Sequence, residues 1–284
     1  MFRYRADQHL QVGLLAAALL MAAIVGLIVL FIFREALPVL SDRGLMKFLQ
    51  DESWHPLENQ FGMLPMLWGT LACTVGAIAL AAPLGVASAL FCRFYAPPAL
   101  ARPYRWVLSL LAGIPSVVFG FWGLTVLVPL IASWQPPGAS LLAGILILAL
   151  MTLPTVALTS EAALTAVPAS YISGAQALGL SQKTTLLRVI LPAARHGLIA
   201  GLILAAARAL GETMALLMVT GNVVATPNSL FAPIRALTAN IALEMAYAMQ
   251  FHRASLFVSG LMLMAAVAGL VLLARQLERR LALG

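Results

Sequence analysis

The chain has 284 residues, of which 62% are hydrophobic and only 10% are charged, and its mean hydropathy is +0.98. In soluble domains roughly a quarter of all residues are charged. This composition therefore excludes a soluble globular protein and indicates an integral membrane protein. The net charge of +7 is a sign of membrane topology rather than of a nucleic-acid partner, which we do not expect.

Six apolar runs are long enough to cross a bilayer as helices: 12–33, 64–92, 106–132, 140–160, 197–221 and 254–274. The first run is longer than the apolar part of a signal peptide, which spans roughly 7–15 residues, and no A-x-A cleavage site follows it. We therefore expect an uncleaved helix there. The prediction is an all-α, polytopic membrane protein.

The basic residues give the orientation. With a cytosolic N-terminus, 11 of the 17 Lys and Arg residues lie on inner segments, five lie on outer segments, and Arg208 lies inside a span. Acidic residues are more frequent on the outer segments. This asymmetry predicts six spans with both termini in the cytosol.

The cysteines and histidines predict no metal site. Cys73 and Cys92 lie in the second run without a CxxC pattern, so we expect small buried side chains. The histidines are scattered near span ends (His9, His55, His196 and His252). An intramembrane enzyme is a poor alternative, because Ser116 and Ser140 have no histidine at a matching depth to act as a base.

Prolines at two places predict breaks or kinks in the spans. Gly113 and Pro115 fall close together in the third run, and Pro115 cannot donate a helical hydrogen bond. We expect this span to begin near Pro115, with 104–112 lying along the inner interface; a hinge and an ordinary proline kink both stay open. Pro154 predicts a second kink in the fourth run.

The longest inner segment, 161–196, predicts a docking element. Residues 169–178 can form a short helix closed by Gly179 as its C-terminal cap. The small residues Ser173, Gly174 and Ala175, followed by Ala177, would let another protein approach closely. A plain connecting loop is the alternative, but the segment is longer than common loops.

This segment carries a family resemblance. The pattern S-G-A-x3-G-x9-V-x-L-P, from Ser173 to Pro192, resembles the EAA loop of bacterial ABC importer permeases, E-A-A-x3-G-x9-I-x-L-P. Glu161-Ala-Ala163 is out of register, because Val167 stands at the glycine position. In register, Ser173 replaces the usual Glu and Gly174 the usual Ala. The resemblance implies ATPase coupling through a set of six residues: Ser173, Gly174, Ala175, Gly179, Leu191 and Pro192.

Three longer stretches narrow the resemblance. The sequences at 113–130, 191–215 and 237–248, which include "GIPSVV" and "RALGETMA", are similar to the C-type membrane subunit of the phosphate-specific ABC transporter. The resemblance covers roughly 61–275. It implies a type I ABC importer permease fold in a bacterial or archaeal cytoplasmic membrane.

The resemblance also implies a division of the chain and a set of partners. Residues 1–60 would form an N-terminal transmembrane helix and outer loop, 61–275 the permease core, and 276–284 a cytosolic tail. The expected partners, besides the lipid bilayer, are a homologous A-type permease, two ATPase subunits and an external phosphate-binding protein. No GxxxxGK[ST] motif occurs, so we expect the partner subunits to use ATP and this chain to bind no cofactor.

Arg208 and Glu212 are two charges in an otherwise apolar span. An ionised residue at a helix centre costs roughly 2.5–3.5 kcal/mol on insertion scales, so such residues pair or face water. Four residues apart on one helix, the two would stack on one face and neutralise each other. We expect this face to line the substrate pathway, with Arg208 donating to phosphate and Thr213 adding a hydroxyl. A buried ion pair that locks the helix is the alternative.

Gly211, beside the charged pair, predicts bending or close helix approach. The function predicted overall is phosphate import by alternating access, driven by separate ATPases. A permease for another oxyanion, such as molybdate, tungstate or a phosphonate, stays open because a guanidinium fits any tetrahedral anion. A transporter or channel that works without ATPases is a further alternative. The coupling-loop spacing is the feature that disfavours it.

Overall fold

The computed structural model describes residues 2–50 and 53–282, and these are almost entirely helical. The α-helices are α1 (Phe2–Gln50), α2 (Leu64–Leu90), α3 (Pro98–Gly113), α4 (Ser116–Trp122), α5 (Val128–Ala132), α6 (Leu141–Thr165), α7 (Ala169–Ala177), α8 (Gln182–Thr185), α9 (Leu191–Leu210), α10 (Met214–Val219), α11 (Leu237–Glu244) and α12 (Gln250–Ala282). A two-stranded antiparallel hairpin, β1 (Trp54–His55) and β2 (Gln60–Phe61), separates α1 from α2.

Single π-helical turns extend or join several helices. Phe91–Tyr95 extends α2, Gly123–Leu127 joins α4 to α5, and Leu186–Ile190 joins α8 to α9. Inside α1 the backbone leaves helical geometry at Gly44, whose φ is 71°. The helical stretches built on α1, α2, α4–α5 and α8–α9 are therefore composite rods, whereas α6 and α12 are single α-helices.

Within the described residues, five helical stretches are long and apolar enough to span a membrane: Leu10–Asp42, Leu64–Tyr95, Leu141–Thr165, Gln182–Leu210 and Gln250–Gln276. A sixth span is possible if α3 and the α4–α5 stretch count as one, although they meet at 92°. This bend confirms the predicted break at Pro115, because α3 ends at Gly113 and α4 begins at Ser116.

The fifth span differs from its prediction. Its helix begins at Gln182 and ends at Leu210, whereas the apolar run suggested 197–221. The inner residues 182–196 continue the helix because the π-helical turn at Leu186–Ile190 joins α8 directly to α9. By contrast, α6 is one continuous α-helix that contains Pro154. The structure shows no break there, and the bend expected at Pro154 stays a prediction.

Helix α6 lies at the centre of the bundle and packs chiefly against α2 and α9. Two-thirds of its most apolar window is buried. The contact with α9 is close: a Cβ added at Gly201 would overlap Thr159 Oγ1 on α6. Cys73 is buried in the core between α2 and α6, and both cysteines are free thiols.

A second core lies at the outer end of the molecule, as the sequence orients it. There the end of α1, the β-hairpin, α11 and α12 converge on a buried apolar cluster that includes Phe48, Trp54, Phe61 and Leu256. Met63 continues the cluster towards α2. This packing fixes the hairpin against the outer ends of the spans.

Candidate functional site

The chain leaves helical geometry between α9 and α10, in the middle of the stretch "ARALGETMA". Helix α9 ends at Leu210 with Gly211 as its C-cap, and α10 begins at Met214. The Glu212 side chain points forward along the chain to the start of α10. Its Oε1 accepts a hydrogen bond from the Ala215 amide at 3.2 Å. The Glu212 carboxylate thus satisfies one of the free amides at the start of α10.

This break corrects the predicted pairing of Arg208 with Glu212. The prediction assumed that both lie on one continuous helix, where residues four apart stack. Because the helix ends at Leu210, Glu212 lies beyond it and its carboxylate caps α10 instead. No ion pair joins the two side chains among the described residues.

Arg208 is exposed on the surface of this single chain, and within the described part of the chain it has no hydrogen-bond or ion-pair partner. Leu204 and Met214 are exposed on either side of it. An arginine within a span that faced lipid would cost roughly 2.5–3.5 kcal/mol on insertion scales. The surface around Arg208 is therefore suited to face water or another protein.

The neighbouring predicted residues shape the break. Thr213 donates its hydroxyl to the Gly211 carbonyl at 3.3 Å, so it stabilises the turn itself. A Cβ at Gly211 would come no closer than 3.7 Å to Arg208 O, which is ordinary contact. Close helix approach therefore does not require glycine at this position, whereas the chain does bend there.

The start of α11 holds the break in place. Thr238 donates its hydroxyl to the Glu212 carbonyl at 2.7 Å, and the Leu237 amide donates to Thr70 Oγ1 at 2.9 Å. These bonds connect the α9–α10 break to α2 and to the outer segment that contains α11. The break, α2 and α11 are therefore linked to one another by side-chain hydrogen bonds.

The coupling segment forms the predicted short helix, α7, followed by a glycine cap. Gly179 has a φ of +70°, its amide donates to Gln176 O at 2.9 Å, and the Leu180 amide donates to Ala175 O at 3.1 Å. This is the Schellman arrangement, in which a left-handed residue closes the helix. The prediction of a helix capped by Gly179 is confirmed.

The predicted coupling residues divide between two sides of α7. Ser173 and Gly174 are exposed, and the Ser173 hydroxyl donates only to carbonyls of its own helix. Ala175 is 5% exposed and faces the rest of the chain, so the small-residue face predicted for a partner does not include it. Leu191 and Pro192 lie at the start of α9, with Leu191 packed against a buried cluster.

That cluster anchors the coupling segment to the spans. It contains Leu164 at the end of α6 and Leu186 and Ile190 in the π-helical turn, with Ile172 of α7 packed against it. The Gln182 side chain donates to Phe94 O at 3.0 Å, which ties the same segment to the end of α2. The coupling segment is thus attached to α2, α6 and α9 together.

Two exposed apolar residues of this segment were missed by sequence reasoning. Tyr171 and Leu178 are 51% and 80% exposed on and directly after α7. Large apolar side chains exposed on a short inner helix are typical of a surface that another protein covers. Their signal was present in the sequence as large apolar residues in a segment that otherwise contains mostly small and polar ones, with Ile172 as the third.

A buried polar network at the outer end was also missed. Glu244 accepts at Oε2 from Trp54 Nε1 (2.7 Å) and lies 2.7 Å from His252 Nε2, while its Oε1 accepts from Arg235 Nη1 at 2.8 Å. Nearby, burial and then the negative charge of Glu244 raise the pKa of the Tyr247 phenol, and Arg235 acts in the opposite direction. The network joins the hairpin, α11 and α12.

The described residues contain no cluster of three or more His, Cys, Asp and Glu side chains that could hold a metal ion. The network around Glu244 brings together one histidine, one carboxylate and one guanidinium. Such a set is suited to hydrogen bonding rather than to metal coordination. The candidate site is therefore a membrane-embedded break with a free arginine, flanked by an inner docking helix and an outer polar network.

Comparison with known proteins identifies the family. Residues 81–283 match the family described as "Binding-protein-dependent transport system inner membrane component". The chain belongs to this family. It is accordingly a multi-pass inner-membrane subunit of a transport system rather than an enzyme.

Curated relatives cover nearly the whole chain. The chain is 37% identical to a probable ABC transporter permease protein, YqgH, of Bacillus subtilis over 93% of its length and 88% of the relative's. It is 34% identical to the phosphate transport system permease protein PstC of Mesorhizobium japonicum over 94% and 88% of the two chains. The corresponding protein of Xylella fastidiosa is 32% identical over 98% and 92%.

Solved structures share the fold. A chain of the MetNI methionine ABC transporter in an inward-facing conformation superposes with a TM-score of 0.62 at 19% identity, covering 81% of this chain and 99% of that chain. A second crystal form of that transporter gives 0.61 at 20% identity, over 75% and 93%. The predicted all-α, type I ABC importer permease fold is confirmed.

Proposed function

We propose that this chain is the C-type permease subunit of an ABC importer that carries inorganic phosphate into the cytoplasm. Relatives named phosphate transport system permease protein, matched over nearly their whole length, support phosphate as the substrate. The family name supports dependence on an external binding protein. The full transporter would contain this chain, a homologous A-type permease, two ATPase subunits and a phosphate-binding protein.

The free guanidinium of Arg208 carries the proposal. A guanidinium offers donors in a planar fork that matches two oxygens of a phosphate group, and Arg208 uses none of them within the described chain. Its exposure implies that the pathway is completed by a second permease rather than enclosed by this chain alone. Phosphate passing between the two subunits would meet Arg208 at the level of the α9–α10 break.

Glu212 acts in this proposal as the cap of α10 rather than as the counter-charge of Arg208. By capping α10 it stabilises the bend that presents Arg208, and it leaves the guanidinium available to an anion. Passage needs a site that is weak enough to release its ligand. A single guanidinium fits such a transient contact.

Energy enters from the inner side. ATP would be bound and hydrolysed by the partner subunits, and this chain would bind no cofactor itself. Helix α7 would dock on an ATPase through its exposed residues, among them Tyr171, Ser173, Gly174 and Leu178. Ser173 makes this contact neutral where an acidic residue is usual in related loops. Closure of the ATPases would push α7 and, through its buried anchor, the spans.

The experiment is labelled-phosphate uptake in cells that lack their own phosphate importers and express this chain with its candidate partners. We expect uptake that requires this chain and an intact ATPase, and that is inhibited by excess arsenate but not by sulfate or molybdate. Accumulation of another oxyanion in place of phosphate would overturn the substrate assignment. Uptake that persists without the ATPase would overturn the importer mechanism.

Variants of Arg208 test the pathway. Arg208→Ala should lower uptake at least about tenfold, because hydrogen bonds to charged groups contribute about 1.5–3 kcal/mol. Arg208→Lys retains the charge but not the planar fork and should give intermediate uptake. Glu212→Gln retains an oxygen for the Ala215 amide and should stay near the parent level. Normal uptake by fully assembled Arg208→Ala would contradict a pathway role.

A further inference from the structure

The hairpin covers a cavity at the outer end of the molecule, away from the α9–α10 break. We name it the outer cavity; its volume is about 470 Å³. Its lining combines apolar and polar side chains, among them Trp54, Glu58, Asn222, Val223, Arg235 and Glu244. Nothing in the proposed function uses it.

Arg235 is held rigidly at this cavity with donors left over. Its Nε donates to Asn222 O at 2.9 Å, and its Nη1 donates to Asn240 Oδ1 at 2.9 Å and Glu244 Oε1 at 2.8 Å. Only 20% of the side chain is exposed. In the described part of the chain, Nη2 has no hydrogen-bond partner, so its two N–H groups are available to a ligand.

Acceptors lie beside these donors. A carboxylate offers about four acceptor positions, and the Glu244 carboxylate uses three of them, towards Trp54, Arg235 and His252. The Asn222 Oδ1 atom is buried without a hydrogen-bond donor among the described residues. Buried polar atoms without partners are rare and mark sites that a ligand or water completes.

We propose that the outer cavity is a weak binding site for an oxyanion that carries its own proton. Arg235 Nη2 would donate to the oxygens of the anion, and the free acceptor position of Glu244 would receive the proton of the anion's hydroxyl. A fully ionised anion such as sulfate has no proton to offer, so the carboxylates of Glu244 and Glu58 would repel it. Hydrogen phosphate and hydrogen arsenate carry one.

This inference rests on the proposed function and sharpens it, because Arg208 alone fits any tetrahedral oxyanion. The chain itself joins the two places: Arg235 lies three residues before Thr238, whose hydroxyl donates to the Glu212 carbonyl at the α9–α10 break. With Glu244 balancing the charge of Arg235, affinity comes from directed hydrogen bonds and stays low. A low-affinity site that rejects unprotonated anions is suited to the entrance of a pathway.

The test is protection from thiol labelling. Val223→Cys places a thiol in the lining of the outer cavity without removing any polar group, and Val223 is 46% exposed. The assembled transporter in spheroplasts, without binding protein, is labelled with a membrane-impermeant thiol reagent while phosphate is titrated. The parent chain, whose two cysteines are buried, gives the background. At ten times its Kd, phosphate should slow labelling about tenfold.

Arsenate should protect like phosphate, and sulfate and molybdate should not. Adding Arg235→Lys keeps a positive charge beside Glu244 but removes the Nη2 donors, so protection should be lost. The matched control is Arg253→Lys, an exposed arginine outside this cavity, which should leave protection intact. Equal protection by sulfate, or none by phosphate up to tens of millimolar, would overturn the site.

Phosphate uptake by the parent transporter distinguishes a wrong outer site from a wrong substrate assignment. If the parent takes up phosphate and labelling is unprotected, the outer site is wrong and the proposed function stands. If the parent does not take up phosphate and the thiol is protected by another oxyanion, the substrate assignment is wrong. Assembly of each variant is checked by co-purification of the ATPase subunits, so an unfolded variant is not counted as loss of protection.

Discussion

Arg105 Nε lies 2.5 Å from Glu161 Oε1 and joins α3 to the inner end of α6. The Glu161 side chain is 14% exposed and that of Arg105 is 40% exposed. Since α3 meets α4 at 92°, it lies roughly across the direction of the spans. The pair therefore holds this crosswise helix against the span that leads directly into the coupling segment.

Breaking this pair should loosen α3. We expect Glu161→Gln to lower the free energy of unfolding by about 1 kcal/mol, since a half-exposed ion pair contributes up to about that much. The melting temperature should fall by about 2–4 °C. The exchange Arg105→Glu with Glu161→Arg should recover most of the loss, whereas each reversal alone should be worse than Glu161→Gln. Additive effects of the two reversals would show that the pair contributes nothing.

The cap of the coupling helix gives a second prediction. Gly179 has a φ of +70°, where a side chain costs about 1–2 kcal/mol, so Gly179→Ala should distort the end of α7. Transport-coupled ATP hydrolysis should fall about fivefold or more, because 1–2 kcal/mol changes a population by about that factor. ATPase activity of the purified transporter, measured with loaded binding protein, checks this.

Gly174→Ala separates the backbone effect of the cap from contact with the ATPase, because Gly174 lies on the proposed docking face of a helical backbone. A Cβ at Gly174 meets nothing within 4 Å, and its backbone is helical. This substitution should therefore leave the α7 backbone unchanged and affect coupling only if a partner packs directly on that position. Equal losses in both variants would indicate partner contact rather than backbone geometry as the cause.

Local chemistry explains which features the sequence could predict. Apolar runs locate most of the spans because a helix that crosses the bilayer needs about 20 predominantly apolar residues. Pro115 and Gly179 act through their own backbones, so the break after α3 and the cap of α7 could be predicted from the residues themselves. The Arg208–Glu212 pairing was wrong because it required a continuous helix across Gly211, and one helix end changes every neighbour beyond it.

Long-range partners explain what the sequence could not provide. Trp54 and Glu244 are 190 residues apart in the chain and 2.7 Å apart in the structure. No spacing rule relates them, because their approach depends on how the hairpin, α11 and α12 pack. The outer cavity was missed for the same reason: its lining comes from the hairpin, from the residues after α10 and from α11.

The contact between α6 and α9 gives a third prediction. A Cβ at Gly201 would overlap Thr159 Oγ1 and lie 2.9 Å from Thr159 Cβ, so Gly201→Ala should push the helices apart. Overpacking of this kind costs about 1–3 kcal/mol. Thermal unfolding of the purified transporter should show the loss, and Thr159→Ala should partly restore stability by removing the hydroxyl. Gly269→Ala, where a Cβ meets nothing, should be neutral; equal effects at both glycines would contradict the contact.

The last prediction concerns the bond between Trp54 and Glu244, which fixes the hairpin over the outer cavity. Trp54→Phe keeps an aromatic ring against Phe61, whose centroid lies 5.4 Å away, but removes the Nε1 donor from the carboxylate. Hydrogen bonds to charged groups contribute about 1.5–3 kcal/mol, so the melting temperature should fall measurably. Trp68→Phe, at a 54% exposed position on α2, is the control and should have little effect. If both substitutions lower stability equally, ring size rather than the bond to Glu244 holds the hairpin.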